Sequence, residues 1–293
     1  MSALPSHPTR RACLAAAVLS VAAGWPRSAV AAPPLRIAAI DWAMAETTLM
    51  LGAAPVAIAE LIAFRRSAPL PVAPGTIDLG LRGGPSLETL ALAAPDLILS
   101  SQYYGFLEPQ LTRIATVFSR PVFVPGAPPL PKLFAALRDL AAQIGTPEVA
   151  HRAEARARAE FAALARRLPA GAAPCLILEI GDARHVRLFG SDSLFHGALT
   201  ELGLVNAWDQ ASRFSFAAPV PLETLADFPE ARLVITSAIP AQIARDIARS
   251  ALWSALPAVR AGRVTRLGEI NGFGGLPSAL RFARVLTAAL EAA

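Results

Sequence analysis

The stretch Leu87-Glu88-Thr89-Leu90-Ala91 returns in the second half of the chain as Leu222-Glu223-Thr224-Leu225-Ala226. Each copy follows a proline by one or two residues and leads into an apolar, strand-like segment, over 97–100 and 233–236. A helix-then-strand unit that recurs once indicates two similar lobes, because a solenoid needs three or more short repeats. Two facing lobes form a cleft, and small ligands bind in clefts.

Around these copies, short apolar runs alternate with helical patterns, which is typical of βα units. Asp41 is expected to cap the first helix, and a loop rich in Pro and Arg is expected over 64–75. Strands are predicted over 35–40, 55–59, 97–100, 122–124, 175–180, 233–236 and 263–267. Helices are predicted over 41–51, 85–93, 111–114, 131–144, 193–202, 222–226, 241–249 and 278–293.

A longer helix is predicted between the two copies. Thr146 is placed to cap it, Pro147 occupies its first position, and it continues to about residue 168. At 1.5 Å per residue it would span roughly 35 Å. Its central position favours a strut between lobes over a surface helix within one domain. We therefore expect an α/β fold of two Rossmann-like lobes, over 32–145 and 169–293, joined by a connecting helix over 146–168.

The first 31 residues have the pattern of an export signal. Arg10-Arg11 is the paired arginine of the twin-arginine type, and Ala29-Val30-Ala31 is an A-x-A cleavage site. The apolar run over 14–23 is shorter than the roughly 20 residues that a membrane-spanning helix needs. We expect cleavage near Ala31 and a soluble periplasmic monomer that does not insert into the membrane. The alternative is a retained anchor.

Charge and cysteine content exclude some function classes. The chain has a net charge of +5, but its basic residues are scattered arginines with one lysine, Lys132, and form no basic stripe with interleaved aromatic residues. This pattern does not favour binding of nucleic acid. Of the two cysteines only Cys175 follows the signal, so the mature chain has no intramolecular disulfide.

Catalytic and metal-binding patterns are absent. The segment Gly190-Ser191-Asp192-Ser193 lacks the second glycine of a nucleophile elbow. The four histidines show no paired ligand spacing. The glycine-rich segment 271–275 does not follow the nucleotide-binding fingerprint and is interpreted as a flexible turn. We therefore expect a binding protein without a cofactor or a protein-bound metal, and an exported hydrolase remains the alternative from another class.

A series of short motifs then appears in a characteristic order. They are Ile77-Asp78-Leu79-Gly80-Leu81-Arg82, Pro85-Ser86-Leu87-Glu88, Tyr104-Gly105, Arg113-Ile114, Asp182-Ala183-Arg184-His185, Leu188-Phe189-Gly190-Ser191, Ser193-Leu194-Phe195, Asn206-Ala207-Trp208, Leu252-Trp253, Pro257-Ala258-Val259-Arg260-Ala261-Gly262-Arg263 and Phe282-Ala283-Arg284-Val285-Leu286. In this order the chain resembles periplasmic binding proteins of ABC importers for iron(III)-hydroxamate siderophores. The resemblance implies two lobes joined by one long helix (class III), capture of a ferric siderophore in the inter-lobe cleft, and delivery to an inner-membrane ABC permease. The siderophore, not the protein, would hold the iron. The alternative ligand within this fold is haem or a corrinoid.

The resemblance also implies ligand-binding residues. Arg82 matches an arginine that donates to the hydroxamate oxygens around the iron, and Tyr104 matches a tyrosine that donates its hydroxyl. A guanidinium offers several directed donors to the anionic oxygens of a ferric chelate. Tyr103 is the alternative residue to face the cleft. Where well-known members place aromatic residues along the wall, this chain has Phe216 in one place and Asn271 with Phe273 in another.

Further arginines fall at pocket-lining positions of the family. These are Arg187 and Arg213, and Arg65-Arg66 lies in the variable loop near the mouth. With Arg82, these guanidiniums lead to the hypothesis of a more anionic ligand, such as a citrate-containing ferric hydroxamate. The alternative is that two or three of them point to solvent.

Members of the family dock on the permease through one acidic residue at the top of each lobe. Glu223, in the second copy of the repeated segment, is the candidate for the C-terminal lobe. Glu108 is the candidate for the N-terminal lobe, and Glu88 is the partner of Glu223 by repeat. The alternative is that these glutamates are ordinary residues of helix N-termini, where the helix dipole favours them.

Overall fold

Two five-stranded sheets organise the residues that the structure describes, 35–211 and 218–292 of a computed structural model. The first sheet has the order β3-β2-β1-β4-β5, and all of its neighbouring strands are parallel. The second has the order β10-β9-β6-β7-β8 and is parallel except at β6-β7-β8. The strands are β1 Ile37–Ala39, β2 Ala57–Ile58, β3 Ile77–Asp78, β4 Leu97–Ser101, β5 Thr116–Arg120, β6 Cys175–Ile180, β7 His185–Leu188, β8 Ala218–Pro221, β9 Arg232–Ile235 and β10 Val264–Arg266.

Helices connect the parallel strands, because the chain must cross over the sheet to begin the next parallel strand. The α-helices are α1 Trp42–Met50, α2 Leu61–Ser67, α3 Leu87–Leu92, α4 Glu108–Leu111, α5 Pro129–Gln143, α6 Pro147–Ala165, α7 Leu194–Glu201, α8 Ala241–Ala248, α9 Ala251–Ala255, α10 Pro257–Arg260 and α11 Leu276–Glu291. Two 3₁₀ helices span Gln102–Leu107 and Leu222–Asp227. None of the helices in the described ranges has the length and apolar character needed to cross a bilayer.

One continuous core joins the two sheets. Helices α5, α6, α7 and α11 pack between them, and their apolar faces share a single buried cluster with residues of β1, β4, β5 and β6. Phe195 on α7 shows this, because its ring contacts Phe189 and also Phe282 on α11 at centroid distances of 4.7 Å. Two separate apolar clusters cover the outer faces of the first and second sheets. The predicted α/β class is confirmed.

Three predicted elements of the first half are corrected. The strand expected over 122–124 is wrong, because Pro121 ends β5 at Arg120 and a proline cannot continue a ladder. The loop expected over 64–75 begins as helix α2, which contains Arg65 and Arg66. The long helix α6 has 19 residues and spans about 28 Å, and the Thr146 side chain makes no capping hydrogen bond.

The two copies of the repeated segment adopt different conformations. The first forms α-helix α3, where the Ser86 hydroxyl accepts a hydrogen bond from the Thr89 amide. The second forms the 3₁₀ helix Leu222–Asp227, whose N-cap Pro221 provides no side-chain cap. The second copy also follows an antiparallel strand, β8, which the repeat does not predict. The repeat therefore predicted the similarity of the halves but not the local geometry of the second.

A buried carboxylate connects α1 with the start of α11. Glu46, on α1, is fully buried. Its Oε1 accepts hydrogen bonds from the Ser278 hydroxyl (2.6 Å) and the Asn271 amide group (3.4 Å). Its Oε2 accepts from the backbone N–H groups of Gly275 (2.8 Å) and Ser278 (3.0 Å). Glu46 thus caps the N-terminus of α11 from another helix, and its charge is favoured there by the helix dipole.

The segment 271–275 is a buried turn packed against this carboxylate, not the flexible turn expected. An added Cβ at Gly274 would lie 2.6 Å from Glu46 Oε1, and one at Gly275 would lie 2.9 Å from the Ala43 carbonyl oxygen. The two glycines are required here because helix α1 approaches the turn so closely.

The buried site makes stability depend on pH through Glu46. Burial raises the pKa of Glu46 from 4.5 to about 7, although its four hydrogen-bond donors oppose the shift. The nearby arginines of α11 are engaged elsewhere, Arg281 with the Ser67 carbonyl and Arg284 with Glu160. A raised pKa contributes stability that is present below pH 4.5 and is lost as the pH rises through 7.

We therefore expect the stability difference between wild type and Glu46→Gln to depend on pH. The wild-type free energy of unfolding should fall by roughly 3 kcal/mol relative to the variant between pH 4.5 and 8, because each pKa unit corresponds to about 1.4 kcal/mol. Urea unfolding across this pH range measures the difference. A difference that does not change with pH would contradict the raised pKa.

Candidate ligand-binding cleft

The carboxyl ends of strands from both sheets face one cleft. Asp41 and Trp42 follow β1, Glu60 follows β2, Arg82 follows β3, and the two tyrosines follow β4. On the other side lie residues that follow β9 and β10, at 236–238 and 269–273. Ligands of open α/β sheets bind at this edge of the strands. The cleft is therefore the candidate functional site.

Two adjoining cavities make up the cleft and share the side chains of Trp42 and Phe273. The aromatic cavity has a volume of about 420 Å³. Its lining residues are Asp41, Trp42, Glu60, Arg82, Gly83, Tyr103, Tyr104, Phe106, Phe123 and Phe273. The polar cavity has a volume of about 340 Å³. Its lining residues are Trp42, Ser67, Glu179, Arg187, Thr236, Ser237, Ala238, Glu269, Ile270, Asn271, Gly272 and Phe273.

The Arg82 guanidinium is held on two sides. It lies over the Trp42 ring at 3.9 Å from the ring centroid, and its Nε donates to Glu60 Oε2 at 2.7 Å. The Trp42 indole is itself fixed, because its Nε1 donates to the Ala59 carbonyl oxygen at 2.8 Å. The terminal amino groups of Arg82 donate to no acceptor among residues 35–211 and 218–292. They are therefore available to a ligand with anionic oxygens.

Glu60 reaches Arg82 from a strained backbone position. Its φ of 52° and ψ of 44° place it in the left-handed region, where residues with a side chain are rare. Its N–H donates to the Gly80 carbonyl oxygen, and Asp78 Oδ1 accepts from the next N–H, that of Leu61. Strain of this kind concentrates at functional sites.

Tyr103 and Tyr104 lie on the 3₁₀ helix after β4. Tyr103 is exposed and Tyr104 is half-buried. Burial raises the pKa of both hydroxyls, and the neighbouring Asp41 carboxylate raises it further. Both therefore stay protonated at neutral pH and can donate a hydrogen bond.

Carboxylates balance the arginines of the cleft. Arg187, on β7, forms an ion pair with Glu179 on β6. Burial raises the pKa of Glu179, and the nearby Glu269 carboxylate raises it further, while Arg187 opposes the shift. Arg82 is paired with Glu60 in the same way. The described lining residues thus include two guanidiniums and four carboxylates. The carboxylates are those of Asp41, Glu60, Glu179 and Glu269, and the guanidiniums are those of Arg82 and Arg187. They do not form the strongly positive cleft that the sequence suggested.

The structure brings most of the predicted site residues together. Arg82, Tyr103 and Tyr104 line the aromatic cavity, Arg187 and Asn271 line the polar cavity, and Phe273 lines both. Arg213 and Phe216 lie outside the described residues.

Three of the predicted residues, Arg65, Arg66 and Asn271, differ from the expectation in their position or in their contacts. Arg65 and Arg66 are exposed on α2 and do not line either cavity of the cleft, and the Arg65 guanidinium donates to the carbonyl oxygens of Ala73 and Pro74. Asn271 uses its side-chain amide within the protein, because it donates to Glu46 and accepts from the Phe273 N–H.

Several residues that line the cleft were not predicted from the sequence. Asp41, Trp42 and Glu60 directly follow strands β1 and β2, so the rule that ligands bind at strand carboxyl ends could have found them. Glu179 and Glu269 carry no comparable signal. In the described ranges no group of three or more His, Cys, Asp or Glu side chains could hold a metal ion.

The glutamates proposed for docking are all exposed. Glu108 is the first residue of α4, Glu223 lies in the first turn of the 3₁₀ helix Leu222–Asp227, and Glu88 lies in the first turn of α3. Each therefore also fits the ordinary preference for acidic residues at helix N-termini.

Residues 37–270 match the family model described as periplasmic binding protein. The chain belongs to this family, and it is a binding protein rather than an enzyme. It is 31% identical to the iron(3+)-hydroxamate-binding protein FhuD of Escherichia coli K12, over 99% of each chain.

Solved structures agree with this assignment. FhuD of Vibrio cholerae with bound Fe³⁺-Desferal has 26% identity and a TM-score of 0.82, over 89% of this chain and 99% of that one. The triscatecholate siderophore-binding protein FeuA of Bacillus subtilis shares the fold at 15% identity, with a TM-score of 0.71 over 87% and 91% of the two chains. The resemblance and the class III fold expected from the sequence are confirmed.

The strain at Glu60 can be tested by two substitutions. Glu60→Gly and Glu60→Ala both remove the ion pair with Arg82, but only glycine relieves the left-handed backbone. We expect Glu60→Gly to be more stable than Glu60→Ala by about 1 kcal/mol, as measured by urea unfolding. An alanine variant as stable as the glycine variant would show that position 60 is not strained.

Proposed function

We propose that this chain is an exported periplasmic protein that captures a ferric hydroxamate siderophore in the cleft and delivers it to an inner-membrane ABC permease. The arrangement of Arg82 carries the proposal, since a guanidinium held by Trp42 and Glu60 presents its terminal amino groups to the aromatic cavity. Two relatives support it, one named for iron(3+)-hydroxamate binding and one solved with Fe³⁺-Desferal.

The chemistry of the cleft suits such a ligand. In a ferric hydroxamate the iron is held by the oxygens of the siderophore, and these oxygens keep anionic character. Arg82 would donate to them with its terminal amino groups, and Tyr104 or Tyr103 with a protonated hydroxyl. The rings of Trp42, Phe123 and Phe273 would cover the apolar parts of the siderophore. Phe216 and Arg213 are proposed as further contacts on the basis of the family pattern alone.

The charges of the cleft favour a ligand without free carboxylates. Arg82 and Arg187 are each paired with a glutamate, and Glu269 adds a further exposed carboxylate. A citrate-containing ligand would bring additional negative charge next to these groups. We therefore propose a neutral or cationic ferric hydroxamate in place of the anionic one suggested by the number of arginines.

The remaining expectations belong to the same proposal. The N-terminal 31 residues would direct export by the twin-arginine route and be removed, and the mature protein would act as a soluble monomer. Its lobes would comprise residues 32–145 and 169–293, and the segment 146–168, which contains helix α6, would connect them. The single core that spans both sheets supports a limited movement between the lobes.

Ligand binding is tested by titrating the purified protein with ferric trihydroxamates and following tryptophan fluorescence. Arg82→Ala should raise the Kd at least about tenfold, because it removes charge-assisted donors to the ligand. Arg65→Ala is the matched control and should bind as the wild type does, because Arg65 lies outside the cleft. Binding of haem or a corrinoid without binding of any ferric hydroxamate would contradict the proposal.

Docking is tested by charge reversal. We expect Glu108→Lys and Glu223→Lys to abolish siderophore-dependent iron uptake in cells and to leave ligand affinity unchanged, because both residues are exposed and neither lines the cleft. Glu148→Lys is the matched control, since Glu148 is also an exposed first-turn residue, on α6. Uptake that survives both reversals would show that these glutamates are ordinary helix N-terminal residues.

A further inference from the structure

One wall of the cleft is held by the side chain of Glu46, which does not line either cavity. The wall consists of residues 271–273, which follow β10 of the second sheet and line the polar cavity. Glu46 lies on α1, which follows β1 of the first sheet. Its carboxylate binds this wall at Asn271 and fixes the chain just beyond it at Gly275 and Ser278. The contact therefore links one sheet to the ligand-facing wall of the other.

We propose that Glu46 is a positioning residue for ligand binding, which holds Asn271 and, through it, Phe273 in the place where they form the wall of the cleft. The inference rests on the proposed function, because it assumes that the cleft binds the siderophore. It concerns a residue that neither contacts the cavities nor belongs to the motifs shared with the family.

The hydrogen bonds run from Glu46 to Phe273 in two steps. Asn271 donates its amide N–H to Glu46 Oε1 at 3.4 Å. Its amide oxygen accepts from the backbone N–H of Phe273 at 3.0 Å. Both ends of the Asn271 side chain are therefore used, and they set the position of the Phe273 backbone. A change at Glu46 would release the first of these bonds and leave the Asn271 side chain held by the second alone.

Phe273 is the part of the wall that a ligand would meet in both cavities. Its ring packs edge-on against Phe123, with 5.6 Å between the ring centroids. Phe123 lines the aromatic cavity next to Arg82. A shift of Phe273 would thus alter the cavity that holds Arg82 as well as the polar cavity.

The glycines of segment 271–275 lie so close to neighbouring side chains that the wall can pack in only one position. A Cβ at Gly272 would lie 3.2 Å from the Phe195 ring and 3.3 Å from the Phe189 ring. At Gly274 it would lie 2.3 Å from the Ser278 hydroxyl oxygen. The wall is therefore packed between the aromatic core on one side and the Glu46 carboxylate on the other. Loss of the carboxylate leaves the buried N–H groups of Gly275 and Ser278 without their acceptor, which favours displacement of the segment.

The test compares substitutions at Glu46 with one on the same helix. Glu46→Leu removes all four acceptor contacts. Glu46→Gln keeps the shape of the side chain but places an amide NH₂ donor opposite N–H groups that need an acceptor. Thr48→Val is the matched control, because Thr48 is also buried on α1 and its hydroxyl donates only to the Met44 carbonyl oxygen among the described residues. A ferric trihydroxamate is the ligand, followed by tryptophan fluorescence.

At pH 8, where most of Glu46 is ionised, we expect both Glu46 variants to raise the Kd at least about tenfold and Thr48→Val to change it less than about twofold. If Glu46→Leu does not fold, Glu46→Gln decides the test. Asn271→Ala should weaken binding as well, and combining it with Glu46→Gln should add little, because the two residues act through the same contact. Additive effects in the double variant would contradict the path through Asn271.

A spectroscopic signal separates positioning from loss of stability. Phe273→Trp places a reporter in the wall, and its emission should shift to longer wavelengths when Glu46→Gln is added but not when Thr48→Val is added, in folded protein without ligand. Unchanged emission and unchanged affinity in the Glu46 variants, with a wild type that binds, would overturn this inference alone. A wild type that binds no ferric siderophore would overturn the proposed function and the inference with it.

Discussion

The buried carboxylate of Glu46 is the interaction on which the arrangement of the cleft depends. It is fully buried and accepts hydrogen bonds from a hydroxyl, a side-chain amide and two backbone N–H groups, all within 271–278. The same four donors satisfy the charge and cap the N-terminus of α11. Since α1 follows β1 of the first sheet and this segment follows β10 of the second, one set of bonds fixes both sides of the cleft.

The cleft itself follows from the topology of the two sheets. Parallel strands bring their carboxyl ends to one edge, and the loops that leave those ends carry the functional side chains. The first sheet contributes Trp42, Glu60, Arg82 and the tyrosines, so a guanidinium is stacked and paired before any ligand arrives. The second sheet contributes the pair of Glu179 with Arg187 and the wall at 271–273. Preorganised donors of this kind lower the cost of ordering side chains when a ligand binds.

Sequence periodicity was sufficient for the α/β class and for the long helix, because both depend on where apolar residues recur. Arg82 and Tyr104, which the family motifs singled out, both line the aromatic cavity, and their contact with a ligand stays a prediction. The sequence could not predict that Arg82 and Arg187 each meet a carboxylate, because Glu60 follows the neighbouring strand β2 and Glu179 lies on the neighbouring strand β6. These pairs form only when the strands come together. The same reason hides Glu46, whose donors lie more than two hundred residues away along the chain. Strand β5 was misplaced because the buried Val122 and Phe123 continue its apolar pattern after Pro121.

The hydrogen bonds of Glu46 between α1 and the start of α11, together with the core shared by both sheets, form the cleft before the ligand binds. Small-angle X-ray scattering of the mature protein with and without a ferric trihydroxamate measures this most directly. We expect the same radius of gyration in both states, because a continuous core and a continuous helix α6 resist bending of one sheet toward the other. A marked contraction on ligand binding would contradict it.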